Sequence, residues 1–403
     1  MSRLAYIFFV ANLLLLGTSV RSDILTVERG SNLQAVIDHA SDGDTLHLGL
    51  KSFEARPTRF VESLCGNCLD PQTEVTASYG FIIKDKGLVI VGADRQLTRL
   101  VTKAGYGIYL ENADGTVIRN LTITGGIRDD DGNATDAGIV VRRSRVTIEQ
   151  VNIRDNDDRS ADSTVVVGIG GIFGREGAEM TIHNCTIVNS GWDGIALYRG
   201  ATAYVSDCLI KDGRGVGIGV TWDAYCVAYR NEVTGFWKGI GSFGTSTVIA
   251  ANNLVHDNLG WGMVGTGQST LEATNNVIHH NGNCGVAPWS TESHGRFVNN
   301  IITQNGWRDQ WVCPCVGVWN YGDWAKWVFR NNIVWGNEAG EYEDIWDQTD
   351  INSNLKADPM FIGEDDFHLL PESPAIHTGD STIFNLDGSR SHIGLYGGPR
   401  SDR

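Results

Sequence analysis

A short unit that repeats itself fixes what this chain can fold into. Between Ala178 and Ser293 the residues that close successive apolar runs, Ile187, Ile210, Val233, Val255 and Ile278, stand 23, 23, 22 and 23 residues apart. Each unit holds a short β-type run (Met180-Thr181-Ile182, Ala203-Tyr204-Val205, Thr247-Val248-Ile249), a polar pair, a second run ending at the anchor, and a Gly-rich bend. A Gly followed by an apolar residue then opens a third run, as in Gly194-Ile195, Gly217-Ile218, Gly239-Ile240, Gly262-Met263 and Gly285-Val286. About 22 residues accommodate three short strands and three turns, whereas a helical repeat would show apolar spacing near 3.6. The pattern predicts an all-β solenoid of three-strand coils.

The polar pair sets the register. Two residues before each anchor the column reads Leu121, Val151, Cys185, Cys208, Asn231, Asn253, Asn276, Asn300, Asn332. Five successive coils thus place Asn at one tight bend. In parallel coils about 4.8 Å apart, each amide donates to one neighbour and accepts from the other, so an Asn ladder satisfies groups that are costly to bury alone.

These Asn-Asn-x-[Ile/Val] units and the Gly-Ile runs are accompanied by a distinctive tail: Asp358-Pro359-Met360-Phe361, Asp366-Phe367-His368-Leu369, Ser373-Pro374-Ala375-Ile376 and His392-Ile393-Gly394-Leu395-Tyr396-Gly397-Gly398-Pro399. Together they resemble the right-handed parallel β-helix superfamily of pectate lyases and related carbohydrate-active proteins. The resemblance covers nearly all of the chain after its leader and implies a polysaccharide partner. It does not choose a reaction, because this scaffold carries lyases, hydrolases, epimerases and binding proteins alike.

Residues 1–22 read as a signal peptide: Arg3 precedes the apolar run Leu4 to Leu16, and Val20-Arg21-Ser22 has the form of a cleavage site. The run is too short for a comfortable membrane span, and nothing later is apolar enough for one. An exported protein, periplasmic or extracellular, is expected, with residues 23–403 as one domain and a monomer. Residues 23–90 would form the N-terminal cap and first coils, 91–350 the regular coils, and 351–403 a closing segment. Asn32 to Ala40 has Leu33, Val36, Ile37 and Ala40 on one helical face, and in the resembled superfamily such a helix caps the open end of the stack, covering exposed core and strand edges. Lys51 to Tyr79 reads as a long irregular surface excursion. The formal charge is −16, and loss of Arg3 and Arg21 with the leader makes it −18. Such a surface excludes nucleic acid as a natural partner and gives an acidic polymer no general attraction, so an acidic glycan would need local cations.

Of the eight cysteines, Cys226 falls in an inward column and reads as a core thiol. Cys185 and Cys208 stack in neighbouring coils, either as free thiols or as a coil-to-coil disulfide. A bridge from Cys284 to Cys313 or Cys315 would pin an insertion to the body. Cys65-Gly66-Asn67-Cys68 stands alone in an early loop, too few ligands for a structural zinc site.

Departures from the period point to a site. Anchors Ile123, Ile153 and Ile187 are 30 and 34 residues apart, and Ile302 to Val334 spans 32, with every excess in the same bend. Insertions at a common bend rise on a common side and wall off the shorter coils between them. The strand after this bend would be the floor of a trough. Its outward positions include Arg142, Arg175, Tyr198, Thr221, Phe243, Thr266, Trp289 and Tyr321, alternating with Val140, Phe173, Ala196, Gly219, Gly241, Val264, Ala287 and Trp319. Trp192, Trp222, Trp237 and Trp261 belong on or beside the same side. Aromatic rings suit the apolar faces of sugars, though rings also cover core edges. Arg142, Trp192, Trp222, Phe243, Trp261, Trp289, Trp319 and Tyr321 are the candidate substrate-binding residues.

Two clusters compete for the chemistry. Asp193 and Lys238 occupy equivalent positions two coils apart, with Arg175, Tyr198, Arg199 and Asp223 near by register. Elimination from a uronate requires neutralisation of a carboxylate, removal of the C5 proton and protonation of the leaving oxygen, and this set supplies the residue types. A hydrolase would use two carboxylates, for which Asp193 with Asp223 is the floor-side pair. In the second cluster Lys211, His256 and His279 share one column and Asp257 and His280 the next, a set suited to acid–base work, to metal binding or simply to exposed polar stacking. The two clusters border the same uninserted bend and would face one crevice. Asp129, Asp131 and Asp136 in one inserted loop and Asp155 and Asp157 in the next have the flavour of calcium loops without the flanking helices and terminal Glu; a solvated acidic loop is the other reading. The expected function is a uronate-specific polysaccharide lyase, with hydrolase, C5-epimerase and non-catalytic glycan-binding or structural solenoid as alternatives.

Overall fold

In this computed structural model residues 22–27, 30–129, 133, 135–156, 167–308 and 313–401 are described. The signal-peptide residues before Ser22, Asp131 and Asp157 lie outside them. Three parallel sheets of 12, 11 and 12 strands stack coil upon coil. The first sheet contains runs such as Glu179–His183 and Thr202–Ser206, the second contains the anchors, and the third contains the Gly-led strands, including Gly170–Arg175, Val216–Val220 and Lys238–Ser242. Each anchor pairs with the next in register: Ile187 with Ile210, Val233 with Val255, Val255 with Ile278. No described helix is long and apolar enough to cross a membrane.

The Asn ladder forms at the bend between the first and second sheets. Nδ2 of Asn231 donates to Asn253 Oδ1 at 3.0 Å, and the chain of amides continues through Asn276, Asn300 and Asn332 to Asn354. Each Nδ2 also donates to a strand carbonyl, as Asn253 does to Ala228 O, so both amide hydrogens are used. The preceding residue of each pair takes the left-handed conformation that turns the corner, with φ of 53° at Asn252 and 57° at Asn275. A second ladder occupies the next bend: Asn258, Asn281, Asn305 and Asn337 are linked by 2.9 Å bonds. Each lies three residues past an anchor, a regularity visible in the sequence and absent from the reading above.

The helix Leu33–His39 closes the N-terminal end. Asn32 caps its first turn, Leu33 and Ile37 are buried, and Lys86 Nζ satisfies the carbonyls of Ile37, Asp38 and Ala40 at its last turn. The segment from Lys51 to Tyr79 is not an irregular surface loop. Ser52–Glu54 joins the second sheet, and Thr58–Glu62 pairs antiparallel with Val75–Lys84 at the edge of the third. The excess residues between Glu54 and Val75 therefore constitute a fourth insertion at the same bend as the three found by spacing. The Cys65–Cys68 pair forms a disulfide within it. Cys185, Cys208, Cys226, Cys284 and Cys313 are buried free thiols, and Cys315 is buried as well. The stacked pair is thus two thiols, with Cys208 Sγ accepting from Cys185 N at 3.4 Å. The expected bridge from Cys284 is not made either, its Sγ donating to Pro314 O at 3.0 Å. At the other end the tail packs Phe367, Ala375, Ile393 and Leu395 over the outward column Leu254, Val277, Ile301 and Ile333 of the second sheet.

Candidate active site

The bend carrying all four insertions leads into the third sheet, so they emerge along one flank as the spacing predicts. Two of them then fold down onto the expected floor. The N-terminal insertion crosses its early coils: Glu62 pairs with both Arg142 and Arg175, the latter at 2.9 Å, while Arg175 reaches Leu64 O and Arg199 reaches Cys68 O. Arg142 and Arg175 are 3% and 2% exposed with their guanidiniums engaged by Glu62, so they present no free cation to a substrate. Tyr109, Tyr106 and Glu176 complete this ionic knot, and burial drives the Glu176 carboxyl upward although both guanidiniums oppose the shift. The predicted cationic floor is therefore internal structure. Glu62 escaped the sequence reading because it lies 80 and 113 residues from Arg142 and Arg175, with no periodicity linking them.

The C-terminal end of the floor is filled by rings. Trp261, Val264, Cys284, Ala287 and Trp319 form a buried cluster with Cys313 and Val316 of the last insertion, flanked by Trp237, Phe243 and Trp289. Trp261 is 1% exposed and Trp319 donates Nε1 to Asp344, so these two act as packing rather than as a sugar platform. Tyr321 stays exposed at the margin, 5.4 Å from Trp319, and Trp192 packs beside Phe173 and Tyr198.

Between these ends an opening remains. The register aligns Asp193, Val216 and Lys238 in one outward column and Ala196, Gly219 and Gly241 in the next. The Tyr198 hydroxyl reaches back along its strand to Asp193 Oδ2 at 3.4 Å, which lays the phenol over Ala196. The Phe243 ring lies over Gly241, where an added Cβ would stand 2.3 Å from the ring. Over Gly219 the nearest atoms such a Cβ would meet belong to the Val216 side chain, at 3.4 Å or more, an ordinary contact distance. Gly219 is thus the floor of a slot walled by the Asp193–Tyr198 pair on one side and Lys238 with Phe243 on the other. Those walls are two coil spacings apart, about 9.6 Å.

Asp193 is fixed in place. Its Oδ1 accepts the Val216 N–H at 2.7 Å, and Gly215 leaves room, since a Cβ there would lie 1.9 Å from that oxygen. Burial lifts the carboxyl to about 6, against the Val216 N–H, the Lys238 charge and the Tyr198 hydroxyl, which favour the anion. Burial likewise lowers Lys238, with Asp193 opposing, and holds Tyr198 well above the usual phenol range. The ammonium stands 5.3 Å from the Trp261 ring centroid. A buried acid–base group and a half-buried cation thus flank one stretch of the third sheet. Asp223 is not part of it: it follows the far end of Val216–Val220, a strand of about 13 Å. It and Arg199 line a separate cleft at the outgoing corner, with Trp222 and Glu176. The predicted Asp193–Asp223 pair cannot flank one bond, for which carboxylates need to be about 5 to 9.5 Å apart.

The histidine cluster forms on the second sheet, not on the third. Asp257 accepts from His256 at 2.6 Å and from His280 at 2.5 Å, and Glu232 lies 3.3 Å from His256. His279 packs against Phe367 and Phe361 of the tail, and burial lowers it to about 4. Lys211 is exposed two coils away in the same column. These residues face the closing tail and do not share a crevice with Asp193 and Lys238. The acidic loops likewise do not converge in their described parts. Asp129 accepts from Ser78 N and Oγ, Asp136 from Asp129 N, and Asp155 from Asn189. Among the described residues no group of three His, Cys, Asp or Glu is placed to hold a metal ion.

Stacked three-strand coils, asparagine-lined bends and a capping helix define a right-handed parallel β-helix. Residues 137–305 match the family described as "right handed beta helix region". No curated protein matches the sequence. Among solved structures, pectate lyase Pel9A superposes with a TM-score of 0.56 at 12% identity, covering 94% of this chain and 97% of that one. Dettilon tailspike protein gives 0.46 at 14% identity, covering 78% and 62%, and the periplasmic alginate epimerase AlgG gives 0.42 at 11%, covering 78% and 74%. At such identities the likeness to Pel9A is one of fold.

Proposed function

We propose that the protein is an exported polysaccharide lyase that cleaves a uronate-containing glycan by β-elimination over Gly219. The observation that carries this reading is the fixed Asp193 carboxylate two coils from the half-buried Lys238, beside the side-chain-free position at Gly219. Lys238, as the ammonium, pairs with the uronate carboxylate and so acidifies C5–H. Asp193, ionised above about pH 6, is the base. As the C5–H bond breaks, its electron pair forms the C4=C5 double bond and the C4–O bond departs. The Tyr198 hydroxyl, already donating to Asp193, gives its proton to the leaving oxygen and recovers one from Asp193. A hydrolase would need a second carboxylate across the slot, and Asp223 lies at the far corner. Export is supported by the leader-like start of the chain, Arg3 followed by Leu4 to Leu16, and by the Cys65–Cys68 bridge, which suits an oxidising compartment.

The test is a screen of acidic glycans that follows the ultraviolet absorbance of unsaturated uronides together with reducing ends. The wild type is expected to produce both, and Asp193→Asn and Lys238→Met each to lose about a hundredfold or more in rate while keeping their circular dichroism. Reducing ends without the absorbance would replace elimination by hydrolysis. An inverted C5 with neither signal would make the protein an epimerase, and binding without product would make it a lectin-like solenoid. Full activity in both variants would remove this slot as the site.

A further inference from the structure

The outgoing corner of the third sheet holds a second opening, a cleft of about 680 Å³ lined by Arg199, Trp222, Asp223, Gly244, Thr245 and Gln268, among others. Its origin lies in a column of left-handed corner residues, one per coil: Arg143, Glu176, Arg199, Trp222, Gly244 and Gly267, with φ from 43° to 72°. Four consecutive coils place a large side chain at this corner, and the next two place none. The column of side chains therefore ends at Trp222 and leaves a bare track over Gly244 and Gly267. One face of the Trp222 ring is covered by the Arg199 guanidinium, 4.1 Å from its centroid. The ring also packs against the cluster holding Phe173, Ala196 and Tyr198, and the glycine track begins at the next coil. Trp222 Nε1 is buried and has no hydrogen-bond partner among the described residues.

We infer that the corner from Trp222 over Gly244 and Gly267 is a stacking subsite for an uncharged pyranose, adjoining the uronate that reacts over Gly219. The assignment of the neighbouring sugar rests on the lyase reading; the subsite itself does not. Three features choose the ligand. A flat indole beside a side-chain-free track fits the C–H face of a pyranose ring. The rim offers hydroxyl partners in Asp223, Thr245 and Gln268, of which the Asp223 carboxylate is anchored by the Gly200 N–H at 2.8 Å and exposed beyond it. Finally, the one guanidinium at the cleft is already engaged, donating to Cys68 O at 2.5 Å and Leu69 O at 3.2 Å, while Glu176 and Asp223 add negative charge. A uronate carboxylate would find repulsion there, whereas a neutral sugar finds acceptors. Thr221 and Gly219 lie between this corner and the slot on the same strand line, so one glycan segment can cross the strands and occupy both.

Calorimetric binding of neutral hexasaccharides of glucose, galactose, mannose and xylose to the full-length mature protein tests the subsite without any turnover. It therefore stands or falls independently of the elimination assay. The wild type is expected to bind at least one of them, Trp222→Ala to bind about tenfold more weakly, the scale of one aromatic contact, and Trp222→Phe to retain most of the affinity. Gln268→Trp, at the exposed rim, fills the track without touching the core and is expected to weaken binding equally, which keeps the test open if Trp222→Ala does not fold. Equal affinity in the wild type and Gln268→Trp, or in the wild type and a folded Trp222→Ala, overturns the inference. So does the absence of binding to the wild type at millimolar sugar.

Discussion

Replacing Asp193 by Asn separates the cost of the buried carboxylate from its chemical use. The folded protein places this carboxyl under the Val216 N–H and the Tyr198 hydroxyl, and burial raises it from its ordinary 3.8 to about 6. The folded midpoint is the higher one. Between 3.8 and about 6 the folded state keeps a proton that the unfolded chain releases, so stability falls as pH rises through that window, and the whole loss is in place above it. At 1.36 kcal/mol per tenfold change in proton affinity, the ionised side chain costs about 3 kcal/mol at neutral pH. Asparagine retains an oxygen for the Val216 N–H and carries no charge. Denaturant unfolding of both proteins at pH 4 and pH 7.5, read as the difference between them, cancels every other titrating group. The variant should gain about 2.5 kcal/mol relative to the wild type on going from the acid to the neutral condition, while lacking activity at pH 7.5. A difference that stays constant with pH would show that Asp193 titrates normally, and would refute its assignment as a buried base.

Three other outcomes follow from the same geometry. Gly219→Val places a side chain in the slot against only the Val216 contact, so elimination should fall by about a hundredfold with little change in melting temperature; retained turnover would put the reaction elsewhere. Glu62→Ala leaves Arg142 and Arg175 buried without their shared counter-charge, a loss of about 3 to 5 kcal/mol measurable by denaturant unfolding. At His256, burial disfavours the imidazolium, but Asp257 and Glu232 outweigh it and raise the ring to about 9. Its stabilising contribution is complete below about pH 6.5 and disappears as pH rises through 9, so the melting temperatures of the wild type and His256→Gln should converge between pH 7 and 10.

How far the chain could be read differs sharply between the repeat and the site. The Asn column, the anchors and the Gly-led strands lie one coil apart, and in a parallel stack one coil apart means touching. Register alone therefore predicted the pairing of Ile187 with Ile210 and the chain of amides from Asn231 to Asn332. The same logic placed Asp193 and Lys238 in one column and three of the four insertions on one flank. It failed wherever the contact crosses the periodicity. Whether Arg175 faces a glycan or a glutamate depends on how residues 55–74 fold back, and nothing in the coil pattern encodes that path.

The sequence by itself determined the solenoid, because a repeated pattern of short apolar runs and amide-bearing bends has one economical way to bury its faces and satisfy its polar groups. Only the tertiary structure decided which stretch of the third sheet stays open. Long loops obey no period: the N-terminal insertion closed the arginine end and the C-terminal one closed the tryptophan end, which left the stretch around Lys238 and the Trp222 corner between them. Burial of those loops, a matter of excluded water and long-range charge pairing, selected the residues available for chemistry from the larger set that the repeat had turned outward.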